Sequence, residues 1–138
     1  MVAQYEIILP SYSRGFHLIT HKILEQIVSL PQTGIFHLFI QHTSAGLTIN
    51  ENADKDVRID FNAWFDRAVK ENEAYYEHTI EGSDDMPAHI KSALVGSSVS
   101  IPISSGKLNL GIWQGIYLCE FRNNGGKRKL IATVIGDI

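Results

Sequence analysis

Cysteine is almost missing from this chain: Cys119 is the single one in 138 residues, and a lone thiol excludes an intrachain disulfide. Charge of one sign is scarce too. Twelve basic residues stand against 15 acidic ones, for a formal charge of −3 with no run of Lys or Arg. The electrostatic footprint of a nucleic-acid binder is therefore absent. No apolar stretch approaches the roughly 20 residues that span a bilayer. Met1-Val2-Ala3-Gln4-Tyr5-Glu6 lacks the basic flank and apolar run of a signal peptide. Gly34 and Gly46 belong to no phosphate-cradling loop of the Walker or dinucleotide type. These absences point to a cytoplasmic protein with neither a nucleic-acid nor a membrane partner. No repeat, low-complexity tract or linker divides residues 1–138, which read as one domain long enough to bury a hydrophobic core.

What is present alternates between strand and helix signals. Val2 to Leu9 reads as a strand stopped by Pro10, and Phe16 to Ile19 as a short extended piece after the Ser13-Arg14-Gly15 turn. Thr20 can cap a helix on which Ile23, Leu24, Ile27 and Leu30 keep helical spacing until Pro31 and Gly34. Ile35 to Gln41 is rich in β-formers without clean alternation, the pattern of a strand buried on both faces. After a turn at Ser44-Ala45-Gly46, Leu47 to Ile49 continues extended. Asp54 can cap a long helix to about Lys70, with Val57, Phe61, Trp64, Phe65 and Ala68 on its apolar side. A shorter helix starts at Asp84 or Asp85, with Pro87 in its first turn, Ile90, Ala93 and Leu94 inward, and Gly96 at its end. Ser98 to Ile103, Lys107 to Trp113, Gly115 to Arg122 and Lys129 to Ile135 read as strands, and Asn123-Asn124-Gly125-Gly126 as a hairpin turn. The expected fold is α+β: a mainly antiparallel sheet carrying two longer helices and one short one.

Chemistry concentrates in two segments. His42-Thr43-Ser44 sits where a strand feeds a turn of small residues, a place that fixes a side chain rigidly. The plain alternative for His42 is a hydrogen bond to loop backbone. The second segment, His78 to His89, holds two imidazoles and the acids Glu81, Asp84 and Asp85 in a dozen positions. Imidazole with carboxylate suits zinc or manganese and also supplies acid–base groups. Asp85 and His89 are four apart and share one helix face, so both can meet one metal, or Asp85 can orient the imidazole. The acids also suit a helix N-terminus, where the macrodipole favours them. His42, His78 and His89 match no fixed spacing such as His-Glu-x-x-His. Ser44 beside His42 raises nucleophilic catalysis, although two residues on an extended chain do not set a base against a nucleophile by proximity alone. Asn50 lies at a helix start, Gln114 before a glycine, and Lys91 and Arg122 are cations suited to a phosphate. The plain reading pairs Arg122 with Glu120 along a strand. Cys119, among apolar neighbours, reads as packing.

Gln41-His42-Thr43-Ser44-Ala45, Asn50-Glu51-Asn52, the block Glu81 to Ser92, and Gly111-Ile112-Trp113-Gln114-Gly115-Ile116 resemble the signature blocks of the YjbQ-like proteins. The likeness runs nearly end to end. Two departures are Gly46, where a Ser is common, and Ile112, where a Thr often precedes the Trp. The resemblance implies an α+β fold, a homotrimer and a site with metal-capable histidines near subunit interfaces. It also implies a secondary thiamine-phosphate synthase, which joins an aminopyrimidine diphosphate to a thiazole phosphate and releases pyrophosphate. On that reading the substrate is a phosphorylated small molecule and the cofactor a divalent metal: zinc, magnesium or manganese. His42, His78 and His89 hold the metal; Glu81, Asp85 and Ser44 are the catalytic candidates; Asn50, Lys91, Gln114 and Arg122 bind substrate. Two alternatives stand beside it: a metal-dependent hydrolase of a phosphoester or amide, and a non-catalytic module that binds a small ligand or regulates a partner.

Overall fold

Alternating apolar side chains sort the strands of this chain into two sheets that share one core. The computed structural model describes residues 1–137. In chain order the elements are β1 (Val2–Leu9), β2 (Gly15–Leu18), α1 (Thr20–Leu24), β3 (Thr33–Ile40), β4 (Ala45–Glu51), α2 (Lys55–Ala68), α3 (Asp85–Val95), β5 (Ser98–Ser104), β6 (Lys107–Leu108), β7 (Gln114–Glu120) and β8 (Arg128–Gly136). The larger sheet runs β1-β8-β3-β5-β6 and the smaller β2-β7-β4. Every pairing is antiparallel.

One face of the larger sheet supplies Ile7, Leu9, Phe36, Leu38, Ile101, Leu130, Ala132 and Val134 to the main core. They meet Ala45, Leu47, Ile116 and Leu118 from the smaller sheet, with Ile19 and Ile23 closing one side. The smaller sheet's other face carries Phe16, Tyr117 and Cys119, which pack with Phe121 under Ala88 of α3 and Phe61 and Phe65 of α2. The layers are thus helices, small sheet, large sheet. This is the α+β class that the sequence implies, with the antiparallel strands divided between two sheets.

Among the described residues, nothing covers the opposite face of the larger sheet. Ile35 is 54% exposed, Phe39 42% and Ile135 53%. The expectation that the third strand is buried on both faces is therefore corrected: the helices lie over the smaller sheet, and alternate β3 residues face out. The short helix is also the first rather than the last. α1 stops at Leu24 because Gln26 turns back onto β1, accepting from the Ile8 N–H and donating to the Ile8 and Lys22 carbonyls. Nor does the Thr20 hydroxyl cap the helix; it accepts from the Ile116 N–H.

α2 begins as expected, with the Asp54 carboxylate accepting from the Asp56 N–H. Trp64 lies at the edge of the apolar stripe, exposed and edge-on to Phe65. α3 is rotated from its expected seat: Pro87, Ala88 and Lys91 point inward, while Leu94 is 62% exposed. Its end at Gly96 has φ +106°, a conformation that favours glycine. The expected strand from Lys107 shrinks to Lys107–Leu108. Asn123 to Gly126 does not close a hairpin, since β7 and β8 belong to different sheets. The glycines there serve a close approach: a Cβ on Gly125 would lie 2.4 Å from the Glu120 carboxylate.

Candidate metal centre

The N-terminus of α3 and the end of β7 build the site. Asp85 opens the helix and His89 follows one turn on, so both project from the same face. His78 reaches the same spot from the loop after α2. Its Nε2 lies 2.6 Å from Oδ2 of Asp85, and Nε2 of His89 lies 3.1 Å from that same oxygen. Asp85 itself is buried, 1% exposed. Arg122, just past β7, secures the acids. Its Nη1 donates to Oδ1 of Asp85 at 2.5 Å, its Nε to Asp84 at 2.9 Å and its Nη2 to the Glu81 carbonyl at 3.0 Å. Burial alone would raise the Asp85 carboxyl; the His78 hydrogen bond and the charges of His89 and Arg122 outweigh it and hold the group below the usual carboxylate range. For Asp84, burial is likewise outweighed by the Asn123 N–H and by Arg122.

The second nitrogen of His89 decides what this cluster can hold. Nδ1 lies 2.9 Å from the carbonyl oxygen of Thr43. A carbonyl only accepts, so Nδ1 carries the hydrogen, and in the neutral ring Nε2 is a bare lone pair. That lone pair points at a carboxylate oxygen. The contact is attractive only with a positive charge between the two atoms, either a proton or a metal ion. An imidazole whose far nitrogen is tied to a backbone carbonyl is also the usual form of a metal-ligating histidine. The donor atoms of His78, Asp85 and His89 all lie within 4.8 Å of one another. Tetrahedral zinc with bonds of about 2.0–2.2 Å needs its ligands about 3.4 Å apart. The 3.1 Å His89 contact is near that spacing, while the 2.6 Å His78 contact is a hydrogen-bond distance that has to open by about 0.8 Å to admit the ion. The residues fit a zinc-type ion, and three protein ligands leave a coordination position for water or a ligand oxygen.

The structure brings together His78, Asp85, His89 and Arg122, and separates the other candidates from them. His42 lies outside the three-residue cluster. Its Nε2 accepts from the Lys129 N–H at 2.8 Å, and burial, then Arg128, lower its pKa against the opposing charge of Glu120. Ser44 is buried, and its hydroxyl accepts from the Arg128 guanidinium at 3.0 Å rather than meeting the His42 ring. Lys91 is 1% exposed, paired with Asp66 at 2.7 Å beneath α2 and over the Phe121 ring. It cannot meet a phosphate. Asn50 and Gln114 sit at the far end of the smaller sheet, where Asn50 accepts from the Glu51 N–H and Gln114 from the Gly111 N–H. Along β4 that end is roughly 17 Å from Ala45, at about 3.4 Å per residue. Glu81 touches the site by its backbone carbonyl, its side chain remaining exposed. Arg122 is spent on carboxylates, and Glu120 pairs with Arg128 at 2.5 Å, not with Arg122.

Two contributors carry no side-chain signal or a faint one. The Thr43 carbonyl is backbone and invisible in residue identity. Arg128 shares the parity of Leu130, Ala132 and Val134 along β8, and an arginine in step with core residues implies a buried partner. Beside the His78, Asp85 and His89 cluster a cleft of about 330 Å³ opens, lined by His42, Thr43, His89, Ser92, Gly96 and Ser97.

The chain is a two-sheet α+β protein with a His/Asp/His cluster at a helix N-terminus. It belongs to the family described as UPF0047 protein YjbQ-like, which it matches over residues 5–137. It is 48% identical over 136 residues to the UPF0047 protein YjbQ of Escherichia coli O157:H7, covering 97% of this chain and 98% of the relative. The YjbQ protein of Salmonella typhimurium is 51% identical with the same coverage. A crystal structure of an uncharacterized YjbQ/UPF0047 protein from Clostridium acetobutylicum superimposes with a TM-score of 0.78 at 38% identity, covering 95% of this chain and 98% of that one.

These findings correct the expected activity. The relatives carry the family name alone, and nothing in the family indicates thiamine-phosphate synthesis. The geometry agrees, since both cations assigned to substrate phosphates, Lys91 and Arg122, are occupied by carboxylates.

Proposed function

We propose that the protein is a zinc-binding module in which His78, Asp85 and His89 hold one divalent ion and an open coordination position takes a small ligand. The observation that carries this reading is the bare Nε2 of His89 facing Oδ2 of Asp85, with Nε2 of His78 on the same oxygen. One positive charge belongs among these three atoms, and a nitrogen–nitrogen–oxygen set favours zinc or manganese over magnesium. The test is metal analysis of the untagged protein beside His78→Ala, His89→Ala and Asp85→Asn. The expected result is about one zinc per chain, lost in each variant. No bound metal and no affinity for added zinc or manganese would overturn the reading.

We propose, as the family resemblance implies, that the protein is a homotrimer. Its support is the uncovered face of the larger sheet, where Ile35, Phe39 and Ile135 stand exposed together with Val2 and Ile8. Register puts Ile35 opposite Ile135 and Phe39 opposite Ile131, two apolar pairs on one face with His37 and Thr133 between them. A patch of that kind marks an association surface. We assign the protein to the cytoplasm on its single free cysteine; no helix among the described residues is long and apolar enough to cross a membrane.

A further inference from the structure

His42 is set apart from the metal cluster, yet its ring is held in a defined state. A backbone N–H can only donate, so the Lys129 N–H at 2.8 Å requires a bare Nε2 on His42. In the neutral ring the hydrogen then sits on Nδ1. That atom has no hydrogen-bond partner among the described residues. Arg58 Nε is the buried side-chain polar atom left without a partner there, so His42 Nδ1 is reached by solvent. His42 lines the cleft that His89 also lines. Thr43 and Ser97, on the same walls, use their backbone carbonyls in the fold and have hydroxyls without partners among the described residues. The volume of about 330 Å³ lies within the range of small-ligand clefts.

The two histidines that line this cleft are thus the same tautomer, hydrogen on Nδ1 and lone pair on Nε2, used in opposite senses. His89 holds its hydrogen on Nδ1 against the Thr43 carbonyl and turns a lone pair to the metal position. His42 holds a lone pair against backbone and turns a hydrogen to the cleft. From this complementarity we infer that His42 is a ligand-binding donor: its Nδ1–H donates to an acceptor oxygen, carboxylate or phosphoryl, of a small ligand whose other oxygen reaches the ion on His78, Asp85 and His89. This rests on the zinc reading above. The ion's double charge, only partly offset by one ligating carboxylate, favours an anion there, and the free Thr43 and Ser97 hydroxyls can complete its hydrogen bonds. His42 neither ligates the metal nor serves as a base, because the nitrogen able to do either is engaged by Lys129.

The decisive variant is His42→Gln, whose side-chain carbonyl can still accept from the Lys129 N–H while the Nδ1 donor is gone. Long-range nitrogen–proton NMR of the wild type first reads the tautomer, with or without metal. A bare Nε2 and a protonated Nδ1 at pH 7 are expected; the reverse tautomer would overturn the inference whatever the metal does. Zinc-loaded wild type and His42→Gln are then titrated with inorganic phosphate and, separately, with acetate. The variant is expected to keep the full zinc content and to bind one or both anions roughly 3- to 10-fold more weakly, the range for one lost hydrogen bond. Loss in the phosphate arm alone assigns a phosphoryl oxygen, and loss in the acetate arm alone a carboxylate. Loss of zinc would make His42 a ligand, and unchanged affinity in both arms would remove it from the cleft's chemistry. If wild type binds no zinc, the zinc reading fails by itself, and the tautomer measurement still stands.

Discussion

Arg122 grips Asp85 by one carboxylate oxygen and leaves the other to two imidazoles: Nη1 lies 2.5 Å from Oδ1, while Oδ2 faces His78 and His89. The grip fixes the rotation of a carboxylate that is almost wholly buried. Removing the guanidinium uncovers a buried charge and frees that rotation.

Arg122→Ala is accordingly expected to cost about 3 kcal/mol of stability in urea unfolding, the scale for breaking a buried pair. On the proposed zinc reading, affinity for the ion should fall roughly 10- to 100-fold, as when a partner of a ligand is lost. Arg122→Lys keeps the charge but not the fork, so it should fall between the two. Wild-type zinc affinity in Arg122→Ala would show that Asp85 is oriented by other contacts.

Acid should destabilise the fold through Asp66. Burial raises this carboxyl, but Lys91 and Arg14, at 2.7 and 2.5 Å, outweigh it and hold it below its ordinary value. A group depressed in the folded state adds stability that is full above the unfolded value, about 3.9, and that is lost as pH falls through the lower folded value. Urea midpoints measured from pH 7 down to 2 should drop below about pH 4 in the wild type. Asp66→Asn should start lower at pH 7, since it strands the buried Lys91, and should follow a flatter curve into acid. Parallel curves for the two proteins would assign the acid sensitivity elsewhere.

Ile35→Lys combined with Ile135→Lys places two charges side by side on the open sheet face, at positions that pair across β3 and β8. Both side chains already point to solvent in the single chain, so the fold should survive, with far-UV circular dichroism unchanged. Sedimentation at micromolar concentration should show a trimer for wild type and a monomer for the variant. A wild-type monomer, or a variant that stays trimeric, would refute association through this face.

Periodicity made much of the site legible and topology hid the rest. Asp85 and His89 follow from helical spacing, and His78 from the density of imidazoles and acids around them. His42 groups with them by residue type, which says nothing about which ring nitrogen is free; that is set by the Lys129 N–H, which β8 brings alongside from 87 residues away. Lys91 and Arg122 suggested phosphate contacts because an isolated cation does not disclose the acid that folding brings to it. The same limit applied to shape. β3 reads as buried on both faces because apolar residues occupy both of its faces, and only the placement of α2 and α3 over the other sheet shows which face is left open. Asn123 to Gly126 has hairpin chemistry, yet the Glu120–Arg128 pair pulls the chain across to the second sheet.

Cys119 lies in the layer between the smaller sheet and the helices, fully buried, and burial pushes its thiol well above the ordinary range. Alkylation proceeds through the thiolate, so the native molecule is chemically silent to iodoacetamide until β7 parts from its cover. The chain carries its own clock for that event. Because no second cysteine competes, each modified molecule marks one opening of the layer against which α3, and with it Asp85 and His89, is seated.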